Sequence, residues 1–381
     1  MTGRGPKGFF SSLDKFYPLD MSYTNSAVKI ALFFNPGSPI AKTFAFALIL
    51  SFLSLFLAGC GREGGKEAPD VSHIPIDIRV ERFDQDIFAM DTAHLEAAMR
   101  QMANKYPDLF PLFTVNIIHD QTNPKELPDQ ALRAFLTAPQ IRHLNDTVQQ
   151  VYGNLKDLEK DLTQLFRYYK YYFPEKPVPQ VVSMVSEFAT DAFTAGDSLC
   201  GIGLDMYLGE NYRGYDPELF PAYIRRQFRR EYIPVRLAKA LAQNVADQAP
   251  GDRLLDQMVY NGKVLYLVEC LLPETADSLI MGYTRAQLEG CFANEQAVWA
   301  RLLDQNLLYS TDFAKFRKLV SPSPNAPLVF EEAPGEIGSW VGWQIVRSFM
   351  KRHPKTSMRE LLGLTDTQAF LEKAKYKPRK E

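Results

Sequence analysis

The chain has 381 residues, 46% of them apolar and 12% aromatic, enough to bury a large core. Forty-three basic residues stand against forty-five acidic ones, so bulk charge gives no case for binding nucleic acid. The length exceeds that of a usual single domain without excluding one.

Residues 1–39 are rich in Gly, Pro, Ser and Asn. They read as a leader that adds nothing to the mature fold, either because translation starts internally (Met21 is available) or because the leader is removed with the next segment. Thr43 to Phe56, TFAFALILSFLSLF, is an unbroken run of apolar and small residues preceded by Lys42. It is short for a transmembrane span and right for the core of a signal peptide. Leu57-Ala58-Gly59-Cys60 follows directly and resembles a bacterial lipobox. Small residues admit a peptidase to the Gly59–Cys60 bond, and the Cys60 thiol takes the diacylglycerol that holds the protein at a membrane. The alternative is an ordinary signal or a membrane anchor with a stray cysteine. The expected plan is a lipoprotein signal at 40–59, lipidation at Cys60, a flexible tether at 60–72, one domain at 73–377 and a tail at 378–381.

From His73 the run IPIDIRVERF alternates apolar and polar side chains, which predicts a strand. QDIFAMD and AHLEAAMRQMANKY predict helical turns, with Leu95, Met99 and Met102 at helical spacing. A long helix is expected over Leu144 to Tyr172, where Val148, Val151, Leu155, Leu158, Leu162, Leu165 and Tyr169 form an apolar stripe. Pro179 to Gly209 is rich in Val, Phe, Thr and Gly and predicts two or three short antiparallel strands. Beyond Pro217 the pattern is almost wholly helical: Glu218–Ala246, Asp252–Leu271, Thr284–Asn306, Gly338–Arg352 and Thr367–Ala374. The fold class expected is α+β, predominantly helical, with a small antiparallel sheet. Cys270 and Cys291 fall on successive predicted helices and could meet in an oxidising compartment. Equally, with Cys200, they are small buried hydrophobes.

Phe228 to Arg236, FRREYIPVR, places Arg-Glu-Tyr-Ile-Pro in the frame of His-Glu-x-x-His, the helical zinc-peptidase signature. Zinc needs imidazoles at the first and fifth positions and a third ligand from a later helix. Here those positions hold Arg230, which has no lone pair to give, and Pro234, which has no donor atom. The later acidic position falls near Asn261. Glu231 alone survives, at the place of the general base. The five histidines, at 73, 94, 119, 143 and 353, offer no helical pair. Zinc hydrolysis by that route is excluded on coordination chemistry, and neither metal nor cofactor is expected. Pro234 should kink its helix. Arg225, Arg226, Arg229, Arg230, Arg236 and Lys239 read most simply as that helix's solvated face. Gly338, Trp340, Gly342 and Trp343 imply close packing against the same helix, with Arg347 at the edge of a former cleft as the functional variant.

Taken together, DSLCGIGLDMYLG, LLYSTDF, GEIGSWVGWQIVRSFM, the terminal KYKP and the lipobox followed by IPIDIRVERFDQDIF resemble the gliding motility-associated lipoprotein GldB family of Bacteroidota. The resemblance runs from about Cys60 to Lys377. That family in turn resembles predicted zinc-dependent peptidases, which implies a zincin-like body with its metal site lost and relict positions at Arg230, Glu231, Pro234 and Asn261. It further implies an envelope lipoprotein, periplasm-facing on the inner or outer membrane, with protein partners in the gliding or linked secretion machinery. A scaffold, an altered metal-independent hydrolase and a peptide- or glycan-binding module are the functions it leaves to weigh.

Overall fold

β1 (Val80–Arg82) is what the alternating run beginning at Ile74 forms: three residues of strand, with the preceding segment held by side chains instead. The computed structural model describes residues 68–118, 127–246 and 251–379; Cys60, the leader, the signal segment and the tether up to residue 67 lie outside them. All of the described residues belong to the unit Glu67–Glu381. Ile78 N–H donates to the Thr163 hydroxyl at 3.0 Å and Val80 N–H to Glu159 at 3.1 Å, which docks β1 on a later helix. Helices α1 (Phe83–Phe88), α2 (Leu95–Lys105), α3 (Leu109–Leu112), α4 (Pro128–Thr137), α5 (Pro139–Tyr152) and α6 (Lys156–Tyr172) follow. Pro128 and Pro139 each open a helix at the position where a missing N–H is harmless.

The expected continuous helix over 144–172 is two helices. At Gly153 a Cβ would stand 2.9 Å from the Gln149 carbonyl oxygen, and the Asn154 side chain accepts the Lys156 N–H at 2.9 Å to start α6. A stripe of apolar residues spans both helices, so periodicity alone could not show the break.

Four strands among the described residues make one sheet in the order β1-β2-β4-β3, with β2 at Gln180–Met184, β3 at Ala192–Ala195 and β4 at Leu199–Gly203. The expected all-antiparallel sheet is corrected to a mixed one. β1 pairs with β2 and β2 with β4 in parallel, and β3–β4 alone is an antiparallel hairpin. Gly196 turns that hairpin at φ 58. The physical reason lies in burial: β4 is buried throughout and β2 over four of its five residues, and both faces of such a strand read as a continuous apolar run with no direction in it. Alternation along β2 sends Val182 and Met184 into one core, with Phe83, Phe113 and Phe135, and Val181 into the other, with Cys200, Ile202 and the C-terminal helices.

The helical half comprises α7 (Ala222–Arg225), α8 (Tyr232–Ala246), α9 (Leu254–Leu271), α10 (Asp277–Met281), α11 (Arg285–Ala293), α12 (Glu295–Asp304), α13 (Phe313–Val320), α14 (Ile337–Arg352), α15 (Met358–Gly363) and α16 (Thr367–Ala374). None of the described helices is long and apolar enough to cross a membrane. Two expectations are corrected here. The helix predicted over 218–246 is interrupted between α7 and α8, so Pro234 is the third residue of α8 and bends nothing; its missing N–H is one of the first-turn donors that no helix satisfies. The Gly-Trp helix α14 packs tightly on α9, not on α8: a Cβ at Gly342 would lie 1.8 Å from the Met258 carbonyl oxygen, and one at Gly262 would lie 2.3 Å from the Gly342 carbonyl carbon. Two backbones in contact leave no room for either methyl group.

Candidate functional site

α8 carries an interrupted stripe. Tyr232, Val235 and Ala242 are buried on one face, and Lys239 stands between them at helical spacing, half-buried. One turn before it, half-buried Arg236 donates from Nε to Asp191 at 2.6 Å and pairs with the same carboxylate through Nη2. The expected solvated basic face is therefore corrected: of its six residues only Arg230 is exposed.

Asp191 arrives at the end of a strained loop after β2. Glu187 and Phe188 are both left-handed, at φ 54 and φ 65, a conformation that costs a non-glycine residue on the order of 1 kcal/mol or more. Asp205, fully buried, holds them there by accepting the N–H of Ser186 at 3.2 Å and of Phe188 at 2.7 Å. Burial pushes the Asp205 carboxyl up to about 6, and those backbone donors limit the rise.

Glu336 approaches Lys239 and Arg236 from the start of α14. It caps the start of α14 in a left-handed conformation at φ 64, its N–H donating to Lys318 O at 2.9 Å. Burial raises the Glu336 carboxyl above its ordinary range, opposed by Lys239 and Arg236. Burial drives the Lys239 ammonium down to about 8, opposed by Glu336. For Arg236 burial works against the charge, but Asp191 outweighs it and holds the guanidinium above its usual value. The Tyr207 hydroxyl faces Asp191 and Arg236 from a residue 2% exposed and has no hydrogen-bond partner. The result is a largely buried cluster of two acids and two bases in which Asp191 and Arg236 satisfy each other, while Lys239 and Glu336 feel each other without forming an ion pair.

Of the residues singled out by sequence, none belongs to this cluster except Arg236 and Lys239. Glu231 is paired with Arg229 at 3.1 Å, its side chain 48% exposed. Arg230 reaches the largely solvated Asp157 at 3.8 Å, and neither Arg230 nor Glu231 belongs to α8. Asn261 donates to Val320 O at 3.1 Å and to the Ser339 hydroxyl at 2.8 Å, tying α9 to α13 and α14. Arg347 is immobilised: it donates to Glu269 at 2.8 Å and to both Asp277 oxygens at 2.8 and 3.0 Å, and stacks 3.9 Å from the Trp343 ring centre. No disulfide joins Cys270 and Cys291. Among the described residues no group of three His, Cys, Asp or Glu side chains is placed to hold a metal ion.

The residues that sequence reasoning missed are Asp191, Tyr207 and Glu336. A usable signal existed for Lys239, a lysine set into an apolar stripe. None existed for Glu336, whose placement depends on the left-handed turn before α14.

Compared with known proteins, residues 64–378 match the family model described as gliding motility protein GldB. No curated protein and no solved structure matches the chain.

Proposed function

Because the chain belongs to the gliding motility protein GldB family, we propose that it is a lipid-anchored cell-envelope component of the gliding apparatus and the secretion machinery linked to it, acting as a non-catalytic scaffold for a protein partner. On this reading Cys60 bears the lipid, residues 61–72 space the body from the membrane, and the body is a peptidase-like fold whose metal positions have been replaced.

The observation that carries the reading is the setting of Glu231. A general base needs desolvated, convergent surroundings within reach of a substrate, whereas Glu231 lies in the turn before α8, half-exposed and held by Arg229. A second reading, a hydrolase working without metal, rests on Lys239 and Glu336. Their environments push the two groups toward each other's titration range, a pattern that acid–base pairs share.

One complementation experiment weighs both readings, in gliding cells deprived of their own copy. Cys60→Ala should leave unprocessed or soluble protein and stop spreading. Glu231→Gln and Glu336→Gln should spread like the parent. Normal membrane fractionation of Cys60→Ala would remove the anchor. Loss of spreading in Glu336→Gln, with abundance and localisation intact, would replace the scaffold by the hydrolase.

A further inference from the structure

Lys263 is the sole lysine of α9 and is 6% exposed. Its ammonium donates to the carbonyl of Leu364, the residue that ends α15, and stands 5.2 Å from the centre of the Phe370 ring. Among the described residues it makes no ion pair. Burial alone pushes its titration down to about 8. An ammonium has three donors; the Leu364 carbonyl takes one, and the charge itself meets no carboxylate.

This side chain lines a cavity of about 240 Å³ together with Val259, Tyr260, Leu362, Leu364 and Thr365. The other charges on the wall answer each other: Arg253 donates to Asp256 from Nε at 2.9 Å and from Nη2 at 2.8 Å, and the Thr367 hydroxyl donates to the same carboxylate. The cavity therefore has largely apolar sides, exposed Thr365 and Gly251 at its rim and one positive charge without a counter-charge. A buried charge left in that state is costly, and an anion that enters with an apolar tail relieves the cost while covering the aliphatic wall.

We propose that the cavity lined by Val259, Tyr260, Lys263, Leu362, Leu364 and Thr365 binds a small monocarboxylate with an apolar tail, its carboxylate paired with Lys263. A single negative charge fits better than two. Lys263 supplies one positive charge, and the Arg253–Asp256 pair on the same wall adds no net charge to balance the second one of a dianion such as phosphate.

The bland role for Lys263 is to cap α15 through Leu364, and the experiment separates the two. The full chain, purified in an uncharged detergent, is titrated calorimetrically with hexanoate, hexan-1-ol and inorganic phosphate, against detergent blanks. The expected result is one saturable hexanoate site, with hexan-1-ol weaker by about tenfold or more and phosphate silent. Lys263→Arg should keep the preference for hexanoate, and Lys263→Met should bring acid and alcohol to within about threefold. Thr365→Trp, which closes the mouth from an exposed position, should abolish binding of both. Equal affinity for acid and alcohol in the parent chain overturns the proposal, as does hexanoate binding that survives Thr365→Trp. If Lys263→Met does not fold, the acid-to-alcohol ratio of the parent and the Thr365→Trp result still decide it. Absence of saturable hexanoate binding in the parent also sinks the idea.

Discussion

At the scale of single residues, Lys239 is the most informative position, because its charge is kept where water is scarce. Its ordinary value is 10.5 and among these groups it falls to about 8. Below that lower value both the folded and the unfolded chain hold the proton, so the fold bears the whole penalty, roughly 3 kcal/mol. As pH rises from there towards the ordinary value, the folded state releases the proton first and the penalty disappears. Lys239→Met should therefore be more stable than the parent at neutral pH by up to that amount, and the gap should narrow above pH 8 and close only above about pH 11. Urea midpoints at the two pH values measure it; a gap that stays constant means that burial does not strain the lysine. The site was half legible from sequence at this scale. The spacing of Tyr232, Val235, Lys239 and Ala242 shows a charge in an apolar stripe, but Asp191 and Glu336 reach it from loops whose course depends on tertiary contacts, the Asp205 carboxylate above all.

Among the elements, those with chemical punctuation were the readable ones. α16 runs over Thr367–Ala374 as expected, because Asp366 accepts the Ala369 N–H at 3.0 Å and starts it sharply. The helix expected over 284–306 opens with a capping box, Thr284 accepting from Gln287 N–H at 3.1 Å and Gln287 accepting from Thr284 N–H at 3.0 Å. It nevertheless divides into α11 and α12 at Asn294, whose side chain donates back to the Gly290 carbonyl at 2.9 Å. Pro234 shows why position within a helix outweighs residue type. In a helix interior, proline removes a hydrogen bond and costs about 3 kcal/mol; in the first turn it costs almost nothing. Pro234→Ala should accordingly change stability by less than roughly 0.5 kcal/mol. Chemical denaturation tests this, and a gain near 3 kcal/mol would show that α8 extends upstream through Arg230 and bends at the proline.

For the whole molecule, helix content and the α+β class were legible, and strand direction was not. The parallel pairing of β1 with β2 was hidden because the partners are about a hundred residues apart and the intervening helices carry no mark of where the chain returns; that of β2 with β4 was hidden because both strands are buried on both faces and their apolar runs carry no direction. The sheet's order has a consequence in time. β3 and β4 meet across a six-residue interval, Thr194 opposite Cys200, and β2 joins them soon after, Val181 opposite Cys200. β1 must wait for the return of a chain about a hundred residues long, the slowest closure in the sheet. As the chain leaves the ribosome, the first-made strand waits about a hundred residues for its neighbour, and Val80 and Ile78 stay unprotected over that interval. Pulse-labelled hydrogen exchange during refolding should find β2 and β4 amides protected before that of Glu81, whose N–H lies on the β2 side of β1 while that of Val80 is taken by Glu159; the reverse order would mean that α1 to α6 close first and template the sheet.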